Sequence, residues 1–271
     1  MGNAPDQAGE FQSVTTTVQN HSQSVETEIA LVGHAVISAT WEEMQQWRKT
    51  STHLTTQLLR QADEQTLIAL AAMDQLRQSQ AFVHEDLSLW GLIAAPRYLG
   101  RFMMAEALQK FQKEGAWGVS PHLIPHRSLH SVSGTLSQAF GIHGANFGVG
   151  GGPTAVAEAM VLAAGLLEEY LPGVLLVMTG LSPDYIPDGN DPPADQLCKA
   201  VALAIRPSWG ARCGDHLVIA PEEDSIGQPE LTLEDLYLTL QSEWVGRKRW
   251  RLPYGGTLQL DRWTQQKRWA A

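Results

Sequence analysis

The chain has 271 residues, 44% of them hydrophobic and 18% charged, with a formal net charge of −10. That is an ordinary globular balance, long enough for one substantial α/β domain with extensions. The negative charge argues against general attraction to nucleic acid. Two cysteines, Cys198 and Cys213, are too few for a disulfide framework and fit a reducing, cytoplasmic setting. No apolar run reaches membrane-spanning length, and the N-terminus lacks a signal-peptide layout.

Residues 1–28 are polar and rich in Gln, Ser, Thr and Asn, so they read as a disordered leader. Ile29 to Gly33 reads as a first strand, and Trp41 to Lys49 has helical spacing. Asp63 to Ser79 is the clearest amphipathic helix, with Leu67, Leu70, Ala71 and Leu76 near a helical period. Leu89 to Ala94 reads as a strand, Arg101 to Glu114 as a helix ending near Gly115, and Leu129 to Phe140 as a further helix. Pro121 and Pro125 mark an irregular link between the last two.

Ala145 to Val149 then reads as a short strand, followed by glycines. Pro153 is expected to open a long Ala/Leu-rich helix running to Tyr170, because a missing N–H costs nothing at the first helical position. This helix is apolar nearly all round and needs cover on every side. Gly173 to Thr179 reads as a buried strand, Pro183 to Pro193 as a loop, and Ala200 to Arg206 and His216 to Ala220 as two more strands. Alternating strands and helices predict a layered α/β domain over residues 29–220. Residues 221–271 are set apart as a basic, Trp-bearing extension.

Four features carry candidate chemistry. Gly150, Gly151, Gly152 and Thr154 precede a helix and could cradle a phosphate or a thioester oxygen through backbone N–H groups. The alternative is a tight strand-to-helix turn. Pro153 breaks the dinucleotide pattern and no P-loop Lys is present, so no cofactor is expected. His122, His126 and His130 recur every four residues, but Pro121 and Pro125 interrupt a shared helix face. Asp184, Asp188, Asp191 and Asp195 lack EF-hand spacing and read as a solvated loop, so no metal is expected. Arg247, Lys248, Arg249 and Arg251, in a stretch bearing Trp244, Trp250, Trp263 and Trp269, could meet an acidic partner, a single-stranded nucleic acid or an anionic membrane, or pack back as an arm.

Several of these stretches resemble the first half of β-ketoacyl-acyl carrier protein synthases, which are thiolase-like condensing enzymes. The resemblance rests on the strand Ile29 to Gly33, the helix Asp63 to Ser79, Ser120-Pro121 and Pro125, and the small-residue helix Ser131 to Phe140. It also rests on the turn Gly141-Ile-His-Gly-Ala-Asn-Phe147, where Ala145 stands in place of the usual Pro. It implies a thiolase-like half-fold with a mixed sheet and a buried central helix. The family's nucleophilic Cys falls on Pro153, which has no nucleophilic group. A second half with paired catalytic histidines is missing too, since His216 is the single His after Gly180. The resemblance therefore implies a silent, chain-length-factor-like protein with no catalytic residue. Its partners would be an active ketosynthase and an acyl carrier protein, in polyketide, aryl-polyene or fatty-acid chain building. Two other readings stay open: a small acyl-thioester enzyme using Thr154 with a nearby His, and a structural homodimer.

Overall fold

A computed structural model describes residues 26–51, 54–79, 82–120, 128–167, 171–186, 194–208, 215–221, 227–253 and 255–262. Eight strands are present among them: β1 Thr27–Thr40, β2 Gly91–Pro96, β3 Asn146–Gly148, β4 Val174–Ser182, β5 Leu197–Pro207, β6 Asp215–Ala220, β7 Gly246–Arg251 and β8 Thr257–Arg262. The α-helices are α1 Trp41–Thr50, α2 Thr56–Gln61, α3 Glu64–Gln78, α4 Arg101–Glu114, α5 Leu129–Phe140, α6 Ala155–Leu167 and α7 Leu233–Gln241. The strands form one mixed sheet in the order β3-β2-β4-β5-β1-β6-β8-β7. β2 runs parallel to both β3 and β4, and every other pairing is antiparallel.

Helices cover the sheet on both faces. On one side α1, α2, α3 and α5 bury Met44, Leu59, Leu70, Met73 and Leu136 against Leu92, Leu175, Val177 and Ala202. On the other, α6 and α7 bury Val156, Met160, Ala163, Leu236 and Leu240 against Ile93, Leu176, Met178 and Leu203. Successive residues of β4 and β5 therefore alternate between two cores, which is why both strands read as continuous apolar runs.

Local chemistry sets the helix starts. Thr40 accepts the Glu43 N–H at its side chain while Glu43 accepts the Thr40 N–H at 2.7 Å, a reciprocal capping box that turns the end of β1 into α1. Asp63 caps α3 by accepting from Thr66 N–H at 2.8 Å. α4 and α5 match their expected bounds, ending at Gly115 and Gly141, the latter in left-handed backbone.

Several expectations need correcting. β1 does not stop at Gly33: its register shifts between Leu31 and Gly33 and the strand continues to Thr40 along β5. Its first residues, Thr27 and Glu28, fall within the stretch read as leader. Pro153 lies in the turn before α6 rather than at its first helical position, and α6 begins at Ala155. Within residues 221–271, α7 packs on the sheet and β7 and β8 extend it, so the described part of the basic stretch is β-structure, β7 hydrogen-bonded to β8 and β8 to β6. Residues 1–25, His122, His126, Asp188, Asp191, Cys213, Trp263 and Trp269 lie outside the described residues.

Candidate functional site

The place to look for chemistry is the β3–α6 turn, because there a parallel strand delivers the chain to the N-terminus of a buried helix. Two connections hold the turn. Val149 N–H donates to the Ala94 carbonyl at 2.9 Å, and Tyr98 N–H donates to the Gly151 carbonyl at 3.1 Å. Tyr98 is itself fixed from below. Buried Gln65 donates from Nε2 to the carbonyls of Arg97 (2.8 Å) and Tyr98 (3.1 Å), and accepts at Oε1 from the Thr179 hydroxyl at 2.8 Å. A chain of hydrogen bonds thus runs from the centre of the sheet to the glycine loop.

Close packing accounts for two of the glycines. A Cβ at Gly148 would lie 2.2 Å from the Leu129 carbonyl oxygen at the start of α5. Gly150 has φ +77°, and a Cβ there would stand 2.5 Å from that of Ala155. Both positions demand glycine for geometry alone.

The helix start carries no thiol, and its one side-chain hydroxyl is that of Thr154. Pro153 stands in the turn, and the hydroxyl of Thr154 donates to Glu158 Oε1 at 2.6 Å. The Thr154 carbonyl accepts the Glu158 N–H at 3.0 Å, so the two residues close the first turn of α6 on themselves. Glu158 Oε2 also lies 3.5 Å from where a Gly150 Cβ would be. A carboxylate is favourable at a helix N-terminus, and it makes the same place unfavourable for a second anion such as a thiolate or oxyanion. No Thr154–His hydrogen bond is present among the described residues. His130, on α5, turns its Nδ1 toward the Ser133 hydroxyl at 3.1 Å. Cys198 lies on the opposite face of the sheet from α6, and burial, with Glu64 and Asp63 nearby, pushes its thiol well above the ordinary range.

The other candidates fall in different places. Asp184 pairs with Arg97 at 2.6 Å, and Asp195 lies exposed in a turn. No group of three metal-capable side chains is present among the described residues. The basic residues Arg247, Lys248, Arg249 and Arg251 sit on β7, where each makes a contact within the chain. Arg247 pairs with Asp261 at 2.9 Å, Arg249 donates to Gln259 at 2.7 Å, Arg251 pairs with Glu230 at 3.0 Å, and Lys248 donates to the Thr239 hydroxyl at 2.8 Å. No helix among the described residues is long and apolar enough to cross a membrane.

Two strands end the sheet among the described residues. β3 ends the sheet on one side, uncharged, with Phe147 40% exposed. β7 ends it on the other, with its basic side chains exposed. The alternation of Arg247, Arg249 and Arg251 was the available signal for a strand with one polar face.

No protein-family model matches the sequence, and no curated protein matches it. Solved structures do match. A ketosynthase (ApeO) in complex with its chain length factor (ApeC) from Xenorhabdus doucetiae aligns with TM-score 0.51 at 17% identity, over 88% of this chain and 97% of that chain. The ishigamide ketosynthase/chain length factor aligns with TM-score 0.50 at 14% identity, over 73% of this chain and 68% of that one. AntDE:AntF, a type II polyketide synthase acyl-carrier protein in complex with its ketosynthase bound to the hexaketide, aligns with TM-score 0.50 at 13% identity. That match covers 68% of this chain and spans 64% of the length of the other. At such identities the likeness is one of fold: a mixed sheet between helix layers, with α6 buried against it, is the fold this chain shares with thiolase-like ketosynthases.

Proposed function

We propose that the protein is a catalytically silent ketosynthase homologue that pairs with an active ketosynthase. The pair would build polyketide, aryl-polyene or fatty-acid chains on an acyl carrier protein. The observation that carries this reading is the start of α6, where Pro153 stands in the turn and Thr154 and Glu158 hydrogen-bond each other. The buried helix of a condensing fold is retained, while its N-terminus offers neither a thiol nor a free anion site. The β3 edge, uncharged and unpaired on its outer side among the described residues, supplies a place for a partner strand, since such an edge is a template for pairing. The chain-length-factor complexes among the structural neighbours support a ketosynthase as that partner.

The test has two arms. The isolated chain, incubated with a malonyl carrier protein and an acyl primer, is expected to give no condensation product. The Pro153→Cys chain is expected to stay equally silent, because Glu158 opposes a thiolate beside it. Co-expression with a candidate ketosynthase is expected to give a stable complex, with product yield or length changed by its presence. Product from the wild-type chain alone would overturn the reading.

A further inference from the structure

Strand β7 ends the sheet with backbone groups turned outward. Arg251 shows their direction. Its N–H donates to the Pro229 carbonyl at 2.8 Å and its carbonyl accepts the Leu231 N–H at 3.2 Å, a parallel bridge centred on Glu230 and lying away from β8. Backbone direction repeats at every second residue of a strand, so the N–H and C=O groups of Arg249 and Arg247 point outward as well. The bridge cannot continue along them, because the Arg249 carbonyl would next need an N–H from Pro229, and proline has none. Among the described residues no other strand pairs with this edge. Charge is the second observation. Arg247, Lys248, Arg249 and Arg251 are all exposed. Arg247 and Arg251 meet the carboxylates of Asp261 and Glu230. Arg249 and Lys248 donate to neutral partners, Gln259 and the Thr239 hydroxyl, and meet no carboxylate among the described residues.

We propose that β7 takes up an extended acidic segment of a partner protein as an added strand, hydrogen-bonded to the outward backbone groups of Arg247 and Arg249. Residues directly opposite in a sheet carry their side chains on the same face, so carboxylates at alternate positions of the guest lie beside the guanidinium groups of Arg247 and Arg249. In such docking the main-chain hydrogen bonds supply affinity and the alternate side chains supply specificity. The same rule excludes a second copy of this edge as the guest, because it would set arginine against arginine. The segment that already bridges Arg251 places an acid, Glu230, beside that arginine, with Arg251 Nη2 3.0 Å from Glu230 Oε1, and the guest would repeat that arrangement two residues along. This docking does not rest on the ketosynthase pairing, and it leaves the β3 edge free.

The test is fluorescence anisotropy of a labelled, end-capped peptide of alternating Glu and Val, titrated with the purified full-length chain. Binding is expected at low salt and should weaken as salt is raised, because exposed charges are screened over about 10 Å at 0.1 M. Arg247→Glu with Arg249→Glu should weaken binding by roughly tenfold or more, since like charges then face each other. The circular dichroism spectrum of that variant should not change, because both side chains are exposed. A peptide of alternating Lys and Val should not bind. N-methylation separates strand addition from bare charge attraction. Only alternate N–H groups of a strand face its host, so methylating the amides of one set, Glu or Val, should abolish binding while methylating the other set is tolerated. Failure of the Glu–Val peptide to bind would overturn the proposal. So would binding indifferent to the two arginines, or equal responses to the two methylations. An oligothymidylate bound as tightly as the peptide would assign the basic strand to nucleic acid and equally refute an acidic guest strand.

Discussion

The two edges of the sheet meet the same physical problem in opposite ways. An edge strand exposes unpaired N–H and C=O groups and invites any passing strand. β7 carries Arg247, Lys248, Arg249 and Arg251, and it is anchored by Trp250, which is only 2% exposed in the core beside α6 and α7. β3 has three residues, no charge and no buried side chain. One edge is charged and built into the fold; the other is short and, among the described residues, unpaired on its outer side. The difference is one of charge and burial: basic residues line one edge, and the other carries none.

Removing the anchor of β7 should have the largest effect. Trp250→Ala empties a buried site and is expected to cost about 3–5 kcal/mol in urea denaturation, whereas Phe147→Ala on β3 should cost about 1 kcal/mol or less. Comparable losses at the two edges would erase the contrast. The next effect is on assembly. Phe147→Asp places a charge on the open edge and should reduce retention of a ketosynthase by roughly tenfold or more, with melting temperature nearly unchanged. Replacing Arg247, Lys248, Arg249 and Arg251 by Glu should leave that retention in place. If instead it is lost and the wild-type complex weakens with salt, the β7 edge meets the acidic surface.

Stripping charge from β7 sharpens the comparison further. Arg249→Val with Arg251→Val should leave the monomer folded but raise its tendency to aggregate, read as light scattering on standing. A double variant as soluble as the wild type would mean the charges guard nothing. The smallest effect concerns pH at the β7 end of the sheet. His34 lies near Arg262 and Asp215, and burial first, then Arg262, holds its pKa below the ordinary value. The unfolded chain therefore binds the proton more readily. Stability should be full above the usual histidine value of about 6.5 and fall as pH drops through and below it. His34→Gln should flatten that decline, and an unchanged pH profile would show that His34 does not contribute.

Legibility of the fold in the sequence followed how local the cause of each element was. α4 and α5 were readable to the residue because their ends are set by Gly115 and Gly141 within the segment. β4 was readable because burial on both faces leaves an unbroken apolar run. The far half of β1 was not: after Gly33 the strand is held by its register with β5, from Gly33↔Ala204 to Thr40↔Leu197, pairs far apart in the chain. The β7–β8 hairpin was missed because its charges outweighed its alternation, and only pairing with β6 gives it a place. α7, Leu233–Gln241, was hidden among acidic residues, although Thr232 with Asp235 is a readable helix start. At the candidate site, the absence of a nucleophile at Pro153 was legible from residue identity. The Thr154–Glu158 contact was not weighed, although its four-residue spacing is that of neighbours on a helix.

The placement of β1 carries a consequence for how the chain comes off the ribosome. The first strand among the described residues lies inside the sheet, between β5 and β6, with both of its ladder partners beyond residue 196. At about 5–20 residues per second, synthesis leaves β1 waiting on the order of ten seconds for β5 to emerge. Until then Ile29, Leu31 and Ala35 have no strand to lie beside, and a topology dominated by such distant pairings folds slowly. A nascent chain halted after β4 would therefore expose β1 as an unpaired apolar strand, a natural ligand for a holdase chaperone. Release from that chaperone should come only once Leu197–Pro207 has cleared the exit tunnel.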